Sequence, residues 1–217
     1  VAPCLALVDE VLAQRLDTYV QAGGTLVLTP QSGVRTVTNL MSDKTRPGLL
    51  AGMAGITVEE VRPYHHGQTH ALKFLPEALS DMACNVGTWV EVLKCGTAQP
   101  LAEYGDKPVA GKPAITVNKH GNGTVYYMGV LLPQEALIRF LGSILPSFPI
   151  KNIPEGVEVT QRRTEQGSFV FILNHSRERQ EVALPGQFSE MLSGETVGPK
   201  VAIGANGVLI LKAVQKQ

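Results

Sequence analysis

Leu5–Pro30, LALVDEVLAQRLDTYVQAGGTLVLTP, decides how the front of the chain is read. Leu5–Val8 is a short apolar run, and Asp9 then stands where a helix N-cap belongs, with Glu10 in the first turn near the positive end of the helix dipole. Val8, Leu12, Leu16, Tyr19 and Val20 recur at helical spacing and predict one buried stripe. Gly23-Gly24 ends the helix, because glycine accepts the positive φ of a left-handed terminal turn without a Cβ clash. Thr25–Thr29 is short, apolar and bounded by Pro30, as a fully buried strand is. Val1-Ala2-Pro3 reads as the last residues of a strand whose beginning is missing. Strand end, helix, glycine turn and buried strand make a βαβ unit, and predict an α/β fold here.

Outward from this unit the chain divides in two. Residues 30–63 are loop-rich, with a short helix expected over Gly48–Met53 and a strand near Thr57–Val61. His70–Leu75, Thr88–Leu93 and Leu101–Tyr104 read as strands. Ala114–Asn118 and Gly123–Gly129 flank the turn Lys119-His120-Gly121-Asn122 as a hairpin. Pro133–Leu145 places apolar residues at helical spacing. Pro146–Pro154 holds three prolines and reads as a linker. Beyond it, Val157–Arg163, Ser168–Asn174, Gln180–Leu184, Phe188–Leu192 and Gly207–Val214 are short runs between turn residues, the texture of a small antiparallel sandwich.

Composition narrows the function. Nineteen basic residues balance nineteen acidic ones among 217, so no net field recruits nucleic acid or an anionic membrane. The longest apolar stretches, Thr25–Thr29 and Val125–Leu132, are too short to cross a bilayer. Val1–Val8 has no basic leader and no small-residue cleavage site. Cys4, Cys84 and Cys95 are an odd number at irregular spacing, which fits reduced thiols and a cytoplasmic protein better than a disulfide framework.

Several strings, in order along nearly the whole chain, resemble family 42 β-galactosidases. They include Val1-Ala2-Pro3, Tyr19–Pro30, Ser32-Gly33-Val34-Arg35 with Asn39, Pro47-Gly48 and Gly55–Glu60. Gly111-Lys112-Pro113-Ala114, His120–Gly123, Val125–Gly129 and Phe169–Ser176 continue the match. The resemblance implies a flavodoxin-like, class I glutamine amidotransferase-like α/β domain over residues 1–147, lacking its first elements, and a C-terminal β-sandwich over 150–217. In that family the first of these assembles trimers and both follow a catalytic barrel. The resemblance therefore implies self-association, a galactoside substrate handled by the missing barrel, and no cofactor.

Candidate sites are few. Glycoside hydrolysis needs two carboxyl groups flanking the scissile bond. Glu59-Glu60 is the obvious pair, but neighbours in a strand face opposite ways, so one solvated and one ion-paired carboxylate is the expectation. The resemblance puts both catalytic glutamates in the barrel, so no catalytic residue is assigned. His65-His66 with His70 lack a carboxylate or thiol at zinc-ligand spacing and read as surface or loop histidines, leaving no metal site. His120 sits in a turn with a local role. Cys4 follows a strand, as an amidotransferase nucleophile would, but no nucleophile-elbow glycines surround it.

Ser32-Gly33-Val34-Arg35 is a polar loop directly after a buried strand, where α/β sheets place functional residues. With Asn39 it is the candidate subunit-interface or substrate-entrance loop, and Arg35 offers a planar fork suited to a carboxylate across an interface. The expected function is the non-catalytic assembly region of a β-galactosidase. An independent carbohydrate-binding module is the alternative, against which stands the single tryptophan, Trp89, in the apolar run Val86–Leu93. A free amidotransferase-like enzyme is the third.

Overall fold

Asp9 caps the first helix: its backbone is extended and its carboxylate accepts the Leu12 N–H at 2.7 Å. The computed structural model describes residues 1–63, 67–87, 89–145, 150–165 and 167–213. They fall into two units, Val1–Ile144 and Leu145–Gln217. The linker expected over Pro146–Pro154 has its first four residues outside the described set.

The first unit runs α1 (Glu10–Gln21), β1 (Thr25–Leu28), a 3-10 turn at Gly48–Leu50, α2 (Ala51–Ala54), β2 (Ile56–Pro63), β3 (Thr69–Phe74), β4 (Ala83–Gly87), β5 (Trp89–Cys95), β6 (Gln99–Tyr104), β7 (Pro113–His120), β8 (Gly123–Met128) and α3 (Gln134–Ile144). Gly23, at φ 108°, turns the chain from α1 into β1. The stripe on α1 is narrower than its spacing suggests. Val20 is buried, but Tyr19 is 52% exposed and instead donates its hydroxyl to the Thr25 carbonyl.

Six strands form one sheet in the order β1-β8-β7-β6-β3-β4, and β2 with β5 makes a separate antiparallel ribbon. Only β1 and β8 are parallel neighbours among the named strands of the first unit, aligned from Thr25↔Thr124 to Leu28↔Tyr127. Side chains alternate across this pair. Leu26, Leu28, Val125 and Tyr127 join a core with Val8, Val20, Leu50, Met53 and Ile56. Val27 and Met128 face the opposite core, where Phe74 and Phe140 meet at 6.4 Å between ring centres. Both faces of β1 are therefore covered, which explains its unbroken apolar sequence.

The flavodoxin-like, amidotransferase-like α/β expectation is overturned. Strand makes up 44% and helix 16% of the structure, a curled sheet with further sheets. A parallel sheet needs a crossover of a dozen or more residues between successive strands, usually a helix. After β1 the chain instead folds back and forth: β3–β4, β3–β6, β6–β7 and β7–β8 are all antiparallel. The four-residue α2 is too short to serve as such a crossover. The opening stretch is a local α/β arrangement set on an antiparallel sheet.

The second unit contains β9 (Val157–Thr164), β10 (Gly167–Asn174), β11 (Gln180–Ala183), β12 (Phe188–Glu190), β13 (Thr196–Val197), β14 (Lys200–Ile203) and β15 (Val208–Ala213). Five form the antiparallel sheet β13-β12-β15-β10-β9, and β11 pairs with β14. Val170, Ile172 and Leu211 from the larger sheet pack with Val182, Val201 and Ile203 from the smaller. The Asn174-His175-Ser176 string has a structural task here. Buried Asn174 donates to the carbonyls of Glu178 and Gly204 at 2.7 and 2.9 Å, and accepts from the Ser176 N–H at 3.0 Å.

Candidate functional site: the loop after the first strand

Thr29 directly follows β1 and holds the loop at both sides. Its hydroxyl accepts the Cys4 N–H at 2.7 Å, and its carbonyl accepts the Ser32 hydroxyl at 2.7 Å. Gln31 has φ 67°, an uncommon conformation for a residue with a side chain. Gly33 has the same φ, and a Cβ there would lie 2.0 Å from the Pro47 carbonyl oxygen. Only glycine fits this close approach. The Gly33 and Arg35 N–H groups donate to the carbonyls of Leu5 and Ala6 at 2.8 and 2.9 Å.

The five residues singled out in sequence divide by burial. Ser32, Gly33 and Val34 are buried and act as framework, while Arg35 and Asn39 are exposed. Arg35 bridges Met41 to open a small hairpin, and Asn39, at φ 63°, makes its turn. The Arg35 guanidinium folds over this turn and donates to the Asn39 carbonyl at 3.0 Å.

What pins the loop from beneath was not recognised in the sequence. Glu91 interrupts an apolar strand and is 0% exposed. Its Oε1 accepts the Gln31 N–H at 2.9 Å and the Trp89 indole N–H at 3.1 Å, and its Oε2 accepts the Tyr127 hydroxyl at 2.7 Å. A buried carboxylate is tolerable only when donors replace its water, and three do so here. Burial, with the Glu91 charge and hydrogen bond added, pushes the Tyr127 phenol well above its ordinary value, while the Arg46 charge opposes this. The available signal was a lone acid within Val90–Leu93. Its donors come from three separate strands and loops, which no local pattern could assemble.

Over this anchor lies a cavity of about 110 Å³ lined by Gln31, Val34, Arg35, Met41, Arg46 and Trp89. A broader depression of about 410 Å³ near Gly52, Gly55, Cys95 and Thr97 has Lys94 as its one charged lining residue. It offers no acid–base pair.

The other candidates resolve as follows. Glu59 is the extra residue of a β-bulge, since Val58 pairs with Leu93 and Glu60 with Val92. Both carboxylates are partly exposed and both are ion-paired, Glu59 with Lys112 at 3.6 Å and Glu60 with Arg62 at 2.8 Å, where one solvated and one ion-paired carboxylate was expected. His65 and His66 lie outside the described residues. His70 is no surface histidine: it is buried, and its Nδ1 meets Asp106 at 2.6 Å. His120 joins Asp17 of α1 at 2.6 Å, tying the β7–β8 turn to the helix. His175 joins Glu158 at 3.1 Å, so each of these three bonds goes to a carboxylate and none to a thiol. Cys4, Cys84 and Cys95 are free thiols. Burial raises the pKa of Cys84 and of Cys95, and Glu103 adds to the latter. Among the described residues, no group of three or more potential ligands could hold a metal ion. No helix among them is long and apolar enough to cross a membrane.

Comparison with known families matches residues 1–150 to the β-galactosidase trimerisation domain and residues 156–213 to the β-galactosidase C-terminal domain. The chain thus belongs to the family 42 β-galactosidases, as a trimerisation domain followed by a C-terminal domain. β-Galactosidase BgaP of Planococcus sp. (strain L4) is 31% identical over 99% of the chain and 32% of its own length. BgaA of Clostridium cellulovorans is 30% identical with the same coverage. The chain so spans about a third of these relatives. The crystal structure of the β-galactosidase from Bacillus circulans sp. alkalophilus superposes with a TM-score of 0.80 at 31% identity, over 97% of this chain and 32% of that one. That of Rahnella sp. R3 gives 0.76 at 29% identity, over 97% and 31%.

Proposed function

We propose that the chain serves a β-galactosidase as its assembly region, joining three subunits, with catalysis on terminal β-galactosides performed elsewhere in the polypeptide. In this reading residues 1–147 are the assembling domain and 150–217 the C-terminal domain. Arg35 and Asn39 then stand at a subunit boundary or beside a neighbouring substrate entrance, with Ser32, Gly33 and Val34 as their support. The three free thiols suit a reducing, cytoplasmic setting.

One observation carries the reading. The hairpin from Arg35 to Met41 is fixed from below, yet Val37, Leu40 and Met41 are 60%, 67% and 54% exposed. Neighbouring apolar side chains exposed to water on one hairpin are a signature of a contact surface. Sedimentation equilibrium at micromolar concentration tests it. Self-association is expected, weakened by Val37→Ser with Leu40→Ser. A monomer at every concentration would overturn the reading. Assayed with a nitrophenyl β-galactoside, the chain is expected to give no turnover.

A further inference from the structure

The cavity above Glu91 has a chemistry that assembly in general does not explain. Two of its six lining residues are arginines, one is the only tryptophan of the chain, and none is acidic. Arg35 gives one N–H to the Asn39 carbonyl, and four of the five guanidinium donors remain. Neither Arg35 nor Arg46 forms an ion pair among the described residues, although four lysine or arginine ion pairs occur elsewhere among them. On its other side Arg35 borders Asp9, Glu10 and Asp43 without pairing with any of them. Glu91 lies behind the lining: Gln31 and Trp89, which both line the cavity, both donate to that carboxylate. An acidic side chain entering the cavity would therefore meet two guanidinium forks, neither of them held in an ion pair.

We propose that this cavity receives one carboxylate side chain from a second copy of the same polypeptide. Size supports a side chain over a free ligand: about 110 Å³ is well short of the roughly 300–1,000 Å³ typical of small-molecule sites. Guanidinium groups bind carboxylates through paired N–H donors, and the indole wall keeps water from competing. The cavity is continuous with the exposed hairpin through Met41, which belongs to both. A docked copy would cover the apolar rim while seating its acid between Arg35 and Arg46. The inference rests on the self-association proposed above and specifies its polar centre. Arg46 is the main receptor, because Arg35 is partly held by its own hairpin.

Trp89 makes the test direct, since it is the sole tryptophan and its emission reports this cavity. The 217-residue chain is diluted through the micromolar range while sedimentation velocity and acrylamide quenching are followed together. Association is expected to protect Trp89 in step with the assembled fraction, and to weaken between about 50 mM and 500 mM salt. Arg46→Gln should raise the dissociation constant at least about tenfold and flatten that salt dependence. Arg35→Gln should do less, and Arg46→Lys should restore part of the loss. Circular dichroism melting of each variant separates weakened docking from misfolding. Salt-dependent protection of Trp89 in the unmodified chain stands as evidence even if a variant fails to fold. Association with Trp89 equally quenched throughout, or with Arg46→Gln assembling as the unmodified chain does, would overturn the cavity's role and leave assembly intact. A monomer at all concentrations would overturn both. A change in the monomer's Trp89 emission on adding lactose would assign the cavity to sugar and end the proposal.

Discussion

The carboxylate of Glu91 accepts the backbone N–H of Gln31 at 2.9 Å, across sixty residues of sequence. This bond holds a residue of β5 against the third residue of the loop that follows β1. It stabilises a left-handed conformation at Gln31 that its side chain disfavours.

Glu91→Ala removes the acceptor from three donors in a dry site. Hydrogen bonds to charged groups contribute roughly 1.5–3 kcal/mol each and orphaned donors cost more, so a loss of about 3 kcal/mol or greater is expected. Glu91→Gln keeps an oxygen for Gln31 and Trp89 and should cost about 1 kcal/mol. Urea unfolding followed by Trp89 fluorescence reports the first unit alone. Equal midpoints for Glu91→Ala and the unmodified chain would contradict the anchor.

Gly33→Ala meets two obstacles, a left-handed φ and a carbonyl oxygen 2.0 Å from the new Cβ. Strain of about 1–3 kcal/mol follows from the backbone, with overpacking of similar size added. The Tm of the first unit should fall by several degrees. Backbone hydrogen exchange should quicken at Gly33 and Arg35 before it does in β8.

The first unit should weaken in alkali. The Tyr127 phenol is held well above its ordinary value of 10.0, first by burial and then by Glu91. A raised folded value means stability is fully present below the ordinary value and is lost as pH climbs beyond it. Trp89 emission against pH should show loss of structure above about pH 10, blunted in Tyr127→Phe. A variant as alkali-sensitive as the unmodified chain would exclude Tyr127 as the cause.

The second unit should weaken in acid. Burial tends to raise the Glu190 carboxyl, but hydrogen bonds from Ser193, Ile210 and Leu192 outweigh it and leave the value below the ordinary 4.5. The Ser193 and Leu192 N–H groups lie 2.6 and 3.1 Å from its Oε2. A lowered folded value stabilises above the unfolded one and is lost as pH falls through the folded value. Amide protection factors in β12 and β15 should fall below pH 4.5 and depend less on pH in Glu190→Gln.

Alkylation should discriminate among the thiols. Cys4 is exposed, whereas Cys84 and Cys95 are half-buried with raised pKa values. The thiolate is the reacting form, so iodoacetamide at pH 8 should label Cys4 first. Peptide mass spectrometry over time gives the order, and faster labelling of Cys84 would refute it.

Sequence alone determined what a few adjacent residues control. Asp9 as N-cap, Gly23 as the turn out of α1, the apolar run of β1 and the hairpin around Gly121-Asn122 each follow from dihedral preference and near-neighbour hydrogen bonding. The alternating strands of the second unit were legible for the same reason, although β13 and β14 were too short or too polar to stand out. Tertiary structure decided which strand lies beside which, and in which direction. An antiparallel and a parallel strand bury the same alternating faces, so the apolar pattern of β1 could not reveal that the rest of its sheet is antiparallel. The candidate loop was legible as a position, through Ser32-Gly33-Val34-Arg35, but not as a machine. Its carboxylate anchor, its second arginine and its tryptophan wall come from β5 and from the segment before the 3-10 turn. They meet only after long-range pairing brings β5 against the end of β8, where Glu91 donates its N–H to the Gly129 carbonyl at 2.8 Å.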